Sequence, residues 1–543
     1  MNKQKNYVTE LCICTTLNFP VNHDTLQNST KNIPKKTFGV FVGVYRSSLQ
    51  ELPSWPKDVH GCIGYYDKQF NIMQTNDIIE HMIQVSKDAT YKDDRNKYFG
   101  PIYTDLYASY SVYFMTLPVM QINNKTGIID TLNIPFNNSV YGLIYIDSQG
   151  HTATYLPGVF EQDKSWKYIS NSLINKSGTS SGDTGNGGNG NGKFLAYKCI
   201  IFKDTLISIL LNSEYTKYLS KTFIYDFILL NYNDFIPYKL NKNNEIIIDK
   251  ENEITNTEII NTLLYLEIFI HNALVFEEKL ITPIIENINY YLNKYVNNTT
   301  TEYITAQQTD NTQKLSTQTE KLLKIAPNLM TILNKLQIST RDERQKSILQ
   351  RTMNIICQNT SKILFEQPQQ HTIILANLIT MSQLCKFNNQ FDIYQQKLFE
   401  IETNKTNTEI GDIFRINTTI KFLYFMKKYF NKFYGQNIEL LLQKYSNIIQ
   451  IIYDNMDKIN THFLSNAFEC SCVFVLLLID NQQQINMNLR NNVFILFYFL
   501  QQRTSNINGK YVGLYKQLNG DVLINVTCDI LRGLLALNGY LLA

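Results

Sequence analysis

The hydrophobic periodicity of this 543-residue chain changes once, near residue 205. Before that point apolar residues come in short runs rich in Val, Phe and Tyr, the pattern of half-buried strands. After it they recur at three- and four-residue spacing, the pattern of amphipathic helices. A period of two and a period of 3.6 cannot serve the same element, so the chain divides into two architectures. The expectation is an α+β domain over residues 1–212 and an all-helical domain over 213–543.

In the first part, Thr37 to Tyr45, Ser109 to Met115 and Phe194 to Phe202 read as strands. Asn76 to Ala89 reads as a helix with Ile78, Ile79, Met82, Ile83 and Val85 on one face and Asn76 or Asp77 as its cap. Residues 140–147 and 151–156 read as a hairpin turning at Gly150. The tract 177–192, almost entirely Gly, Ser, Thr and Asn, reads as a flexible loop within this domain. In the second part, helices are expected over 256–275, 326–336, 345–365, 371–387, 417–434, 438–456, 460–479, 491–502 and 522–542. Their short polar connections suit antiparallel hairpins, arranged as an open array or closed as an α/α toroid. A threonine-rich polar loop is expected near 297–319.

Fifty Lys and Arg against 47 Asp and Glu leave a net charge of +3, too little to suggest a nucleic-acid partner. The longest apolar runs, such as 473–479 and 493–500, fall well short of the roughly 20 residues that cross a bilayer, and no membrane association is expected. The first residues lack the uninterrupted apolar core of a signal peptide. Nine cysteines spread over the chain suit free thiols in a reducing compartment, which places the protein inside a cell, in the cytoplasm. The Cys12/Cys14 and Cys470/Cys472 pairs lack zinc-ligand spacing, and His81, His151, Asp147 and Glu161 form no metal motif, so no metal is expected. No sequence feature specifies a cofactor.

One stretch carries the chemistry: Val59-His60-Gly61-Cys62-Ile63-Gly64-Tyr65. In an extended strand His60 and Cys62 project from the same face, within reach of each other. The functional reading makes Cys62 a nucleophile with His60 as its base, and the Gly61 to Gly64 backbone an anion contact. The alternative reading is a close-packed glycine bend with an inert buried thiol. Arg95 either anchors a carboxylate or phosphate or pairs with Asp93 or Asp94.

The segments Gly39-Val40-Phe41-Val42, His60-Gly61-Cys62-Ile63-Gly64, Asp94-Arg95 with Phe99-Gly100-Pro101, Tyr141-Gly142-Leu143-Ile144 and Tyr155-Leu156-Pro157-Gly158-Val159 follow one another in a fixed order. In that order they resemble the motifs of the AMMECR1 domain family, over about residues 1–210. The resemblance implies an α+β fold of a larger and a smaller subdomain with a cleft between them, and it assigns Gly61, Gly64, Asp94 and Arg95 to ligand binding there. The family's activity is unsettled, with an enzymatic or small-ligand role suspected and an association with Memo-like and radical-SAM proteins in bacteria and archaea. This chain departs from the family pattern at His60, where arginine is usual, and at Asn96-Lys97-Tyr98, which interrupts a compact segment.

In the helical part, residues 460–480 and 521–537 are weakly similar to the terminal helices of α/α toroids, which would turn Asp521, Asn525, Cys528 and Asp529 toward a ligand. Only two tryptophans occur, both before residue 205, and no matched carboxylate pair marks a glycosidase. The combined expectation is an AMMECR1-like protein that binds a small molecule or peptide in its N-terminal cleft and a protein partner through its helical scaffold. The alternative is a cysteine-dependent enzyme using Cys62 and His60.

Overall fold

A computed structural model describes residues 6–47, 59–159, 164–178, 192–222, 239–240, 246–247, 409–430, 435–480, 487–507, 510–515 and 524–538, with isolated positions between 330 and 357. The chain forms two compact units, residues 1–209 and 210–543. Within the described residues the first is α+β and the second helical apart from short hairpins. The expected helices at 256–275 and 371–387, the 297–319 loop and residues 179–191 of the glycine tract lie outside the described residues.

The first unit is built on an antiparallel sheet of eight strands. These are β1 (Thr37–Tyr45), β2 (Val59–Tyr66), β3 (Ser109–Ile122), β4 (Ile128–Ile129), β5 (Ile134–Pro135), β6 (Gly142–Ile146), β7 (Thr152–Tyr155) and β8 (Lys193–Thr205). Their spatial order is β2-β1-β3-β8-β6-β7, with β4 and β5 extending from β3. The β6–β7 turn closes as expected, with Gly150 at φ +83 and the Asp147 carboxylate accepting from the backbone N–H of Gln149 and His151.

Helices α1 (Tyr7–Thr16), α2 (His23–Asn32) and α3 (Thr75–Tyr91) gather at the β1–β2–β3 end of the sheet, and α4 (Trp166–Lys176) packs on β6 and β7. Helices α1, α3 and α4 cover the sheet face that carries Val40, Val42, Val44, Val112, Ala196 and Leu143, and α2 packs on α1 and α3. The other, inner face is lined by Phe41, Tyr66, Met115, Ile144 and Tyr197, a second apolar cluster that forms because the sheet curls on itself. Two buried faces explain why β1 is apolar on both sides rather than alternating.

Two local expectations need correction. Helix α3 starts at Thr75 after Gln74, which makes no side-chain cap, so Asn76 and Asp77 lie inside the first turn. Helix α1, absent from the sequence reading, buries Val8, Leu11, Cys12, Ile13 and Cys14 around its circumference, and the Asn6 side chain caps it by accepting from Thr9 N–H at 3.3 Å.

In the second unit, α5 (Ile207–Leu210) begins in the first and leads to α6 (Ser213–Lys221). The two-residue strands β9 (Lys239–Leu240) and β10 (Ile246–Ile247) pair, and then come α7 (Asp412–Phe430), α8 (Gly435–Asp454), α9 (Thr461–Asp480), α10 (Met487–Gln501) and α11 (Ile524–Leu537). Helix α9 is central, packing against α7, α10 and α11. Residues 461–479 of α9 are long and apolar enough to cross a membrane, but 78% of that stretch is buried inside the unit. A hairpin, β11 (Thr504–Ile507) with β12 (Lys510–Tyr515), separates α10 from α11 where the sequence reading has neither strand. Arg503, at its entrance, donates to the carbonyls of Met456 and Ile459 at 2.8 and 2.7 Å and so fixes the turn between α8 and α9. Seven described cysteines are free thiols. Cys357 is disulfide-bonded, an exception to the expectation of free thiols throughout.

Candidate functional site

The glycine–cysteine motif occupies β2, an outer strand of the sheet. Its register with β1 pairs Val44 with Gly61 but Tyr45 with Val59, which leaves His60 as an extra residue, a β-bulge. The bulge offsets the pleat by one residue, so His60 and Cys62 do not share a face. His60 turns to the helical side, where it is 2% exposed. Its Nδ1 accepts from Arg46 Nε at 3.2 Å, which leaves the proton on Nε2, donated to the Thr90 carbonyl at 3.1 Å. Burial and then the Arg46 charge lower its pKa to about 4. The ring is neutral at physiological pH with both nitrogens engaged.

Cys62 pairs with Gly43 and lies on the inner face with Tyr45, which is two residues along β1, and with Tyr113 on β3. The two phenols are hydrogen-bonded at 2.9 Å. Burial raises the Cys62 thiol to about 11, against a smaller lowering by the Arg95 and Lys176 charges. At neutral pH the group is a thiol, not a thiolate.

The two motif glycines are required by packing. A Cβ on Gly61 would lie 1.9 Å from the Ala89 carbonyl oxygen, and one on Gly64 would lie 2.0 Å from the Phe41 ring. These absent side chains let the end of α3 and an inner-face aromatic ring close onto β2.

Arg95 sits in a 3-10 helix, Asp94–Tyr98, and grips Asp93 with two bonds, Nε to Oδ1 at 2.8 Å and Nη2 to Oδ2 at 2.6 Å. Asp93 in turn accepts from Cys62 N–H at 2.9 Å, and Arg95 Nη2 lies 3.4 Å from the Cys62 carbonyl. Burial alone would raise the Asp93 carboxyl, but these hydrogen bonds hold it at about 2. Of the two pairings open to Arg95 on sequence grounds, the structure has the one with Asp93. Asp94 is exposed and makes no described side-chain contact.

Lys176 ends α4 and reaches the free edge of β7, donating to the Thr154 carbonyl at 2.9 Å with its ammonium 4.6 Å from the centre of the Tyr155 ring. Burial lowers its pKa, and its charge acts on the Cys62 thiol. The curl of the sheet thus brings the β7 and β2 edges near each other, with Lys176 on one rim and Arg95 on the other. Lys203 of β8 adds a third cation, 5.7 Å from the Tyr45 ring. Tyr45, Tyr113, Lys176 and Lys203 carry no motif in the sequence. Only strand register places the tyrosines beside Cys62, and no local pattern announces Lys176.

Elsewhere the sequence candidates are occupied by internal contacts. His81 stacks on Tyr65 at 3.8 Å, and His151 pairs with Asp147 at 2.7 Å. Glu161 lies outside the described residues. Among the described residues no three His, Cys, Asp or Glu side chains gather as metal ligands would.

In the helical unit Cys528 is fully buried, and the Asp529 carboxylate accepts from Ser465 Oγ at 3.0 Å and Asn466 Nδ2 at 2.9 Å. Asp521 and the Asn525 side chain lie outside the described residues. Beside Asp529, Glu469 is 1% exposed and accepts from Asn417 at 2.7 Å, from Lys421 at 3.1 Å and from Arg532 at 2.9 Å. No sequence motif marks this cluster, whose members come from α7, α9 and α11.

No protein-family model, curated protein or solved structure matches this chain.

Proposed function

We propose that the N-terminal unit is an AMMECR1-type ligand-binding domain that takes a small molecule or short peptide, without covalent chemistry, in the cleft formed by the inner face of its curled sheet. The observation that carries this reading is the cluster of partly exposed Tyr45, Tyr113 and Cys62 between the cationic rims at Arg95 and Lys176. Such a site is apolar in body with a few convergent polar groups, the usual character of a ligand pocket. The cysteine-enzyme alternative has less support, because a general base must reach the thiol and His60 is turned to the opposite face with both nitrogens bonded.

The helical unit fits the role of an interaction scaffold of antiparallel helices, as an open array or a toroid, for a protein partner. Seven of the eight described cysteines, Cys62 among them, are free thiols, which suits a protein that works inside a cell, with the disulfide at Cys357 as the exception.

The test is a ligand-observed NMR screen of a fragment and dipeptide library against the full chain, with Tyr113→Ala as the control. Hits that the control no longer binds support the reading. A library without hits, or hits unaffected by the control, sinks it. Turnover of any hit that is lost in Cys62→Ala would favour the enzyme instead.

A further inference from the structure

The inner face is unbalanced in charge. Arg95 and Lys176 stand at the two edges that border it and Lys203 lies on it, whereas among the described residues the carboxylate that pairs with any of them is that of Asp93, already gripped by Arg95. Lys176 has the least compensation. Its ammonium is held by a backbone carbonyl and an aromatic ring, with no carboxylate among its described contacts, and it stands at the opening between the β7 and β2 edges. A cation drawn partly out of water without an anion is an unfavourable arrangement that an anionic ligand repairs. On the inner face, the Tyr45–Tyr113 pair keeps one hydroxyl hydrogen to donate to the same anion, the other being spent in the bond between the two phenols. Ile201, directly across from Tyr113 on β8, is 49% exposed on this face and offers an apolar seat.

We infer that the ligand of this cleft is a carboxylate with an apolar body, its anionic group on Lys176 and the tyrosine pair, its body on Ile201 and the Tyr113 ring. The inference rests on the ligand-binding reading and gives it a chemical class. Two sources share that chemistry, a small carboxylic acid and the C-terminus of a peptide.

Isothermal titration of the full chain at neutral pH, with N-acetylphenylalanine, its amide and a tripeptide ending in free phenylalanine, tests it. The acid should bind, and the amide should bind about ten-fold more weakly, because it lacks the charge-assisted bond. Lys176→Met should lose about ten-fold for the acid, while Lys176→Arg, which keeps the charge, should retain most of the affinity. Stronger binding of the tripeptide than of N-acetylphenylalanine would identify a peptide terminus, and equal or weaker binding a small acid.

Equal affinity for acid and amide would overturn the carboxylate assignment while leaving ligand binding in place. Binding of neither would overturn it as well, with the fragment screen deciding the broader reading separately. Acid affinity unchanged in Lys176→Met, with the variant's melting temperature intact, would show that the anion sits elsewhere.

Discussion

Arg532 Nε donates to Glu469 Oε1 at 2.9 Å in the middle of the helical unit, with both side chains less than a tenth exposed. The Arg532 and Lys421 charges, aided by Asn417, overcome the effect of burial and hold Glu469 at about 2. Removing one member of such a pair leaves a charge in a site that cannot solvate it. Arg532→Met should therefore cost about 3–5 kcal/mol. Glu469→Gln combined with Arg532→Met should cost clearly less than the sum of the single changes, because neither charge is then stranded. Urea unfolding of the full chain, followed by circular dichroism at 222 nm, reads both.

Asp529, one helical turn before Arg532, moves the other way. Burial and the neighbouring Glu469 charge push it up to about 7. A carboxyl that holds its proton more tightly folded than unfolded adds stability at acid pH. Between the ordinary aspartate value of about 4 and about 7 the native state keeps a proton that the unfolded chain releases, so this contribution declines as pH rises through that window. Asp529→Asn should remove the decline. Thermal unfolding at a series of pH values from 4 to 8, for parent and variant, would show whether the slopes differ; parallel curves would count against it.

His60 has the opposite dependence. Its folded pKa is lowered to about 4, so between there and the ordinary imidazole value of about 6.5 the unfolded chain binds a proton that the native state refuses. Its contribution is present above that window and is lost as pH falls through it. The His60 ring signals in an NMR titration should stay constant from pH 8 to 5.5. His60→Ala should destabilise by on the order of 1–3 kcal/mol through the loss of its bonds to Thr90 and Arg46.

Cys62 should be slow to react. With the thiol raised to about 11, its alkylation by iodoacetamide at pH 7.4 should be no faster than that of free cysteine, and should accelerate only in strongly alkaline solution. Mass-spectrometric mapping of the labelled sites at short times decides this. Preferential labelling of Cys62 at neutral pH would restore the enzymatic reading.

The two motif glycines should tolerate substitution unequally. At Gly64 a new methyl group meets a side chain, the Phe41 ring, whereas at Gly61 it meets the Ala89 backbone carbonyl. Gly64→Ala should cost about 1–3 kcal/mol. Gly61→Ala should cost more, since β2 and the end of α3 must separate. Comparative thermal melts of the two variants provide the check.

Strand patterns in the first part of the sequence are readable because β1 and β3 are dense in Val, Phe and Tyr and β8 in Phe, Ile and Tyr, and Gly150 marks the hairpin between β6 and β7. Helix α1 is not, because its apolar residues surround the helix and leave no single stripe at Val8, Leu11 and Ile13. The motif at 60–64 was conspicuous, but its geometry depends on one register shift. Alternation predicts His60 and Cys62 side by side, and the bulge opposite Val44 and Tyr45 separates them. Pairing of Arg95 with Asp93 was open to sequence reasoning as one of two choices, since the residues are neighbours. The position of Lys176 was not, since it follows from how the whole sheet curls.

The grip of Asp93 and Arg95 on the peptide group of Cys62 also bears on how copies of this chain meet. Strand β2 ends the sheet, and its outward N–H and C=O groups are what an incoming strand would need to continue the ladder. At Cys62 both are already taken by a side-chain carboxylate and a guanidinium, which together occupy the place of a neighbouring strand. The border of the sheet is closed there from within the same molecule, and edge-to-edge polymerisation through β2 would first have to strip Asp93 and Arg95 from the Cys62 peptide group.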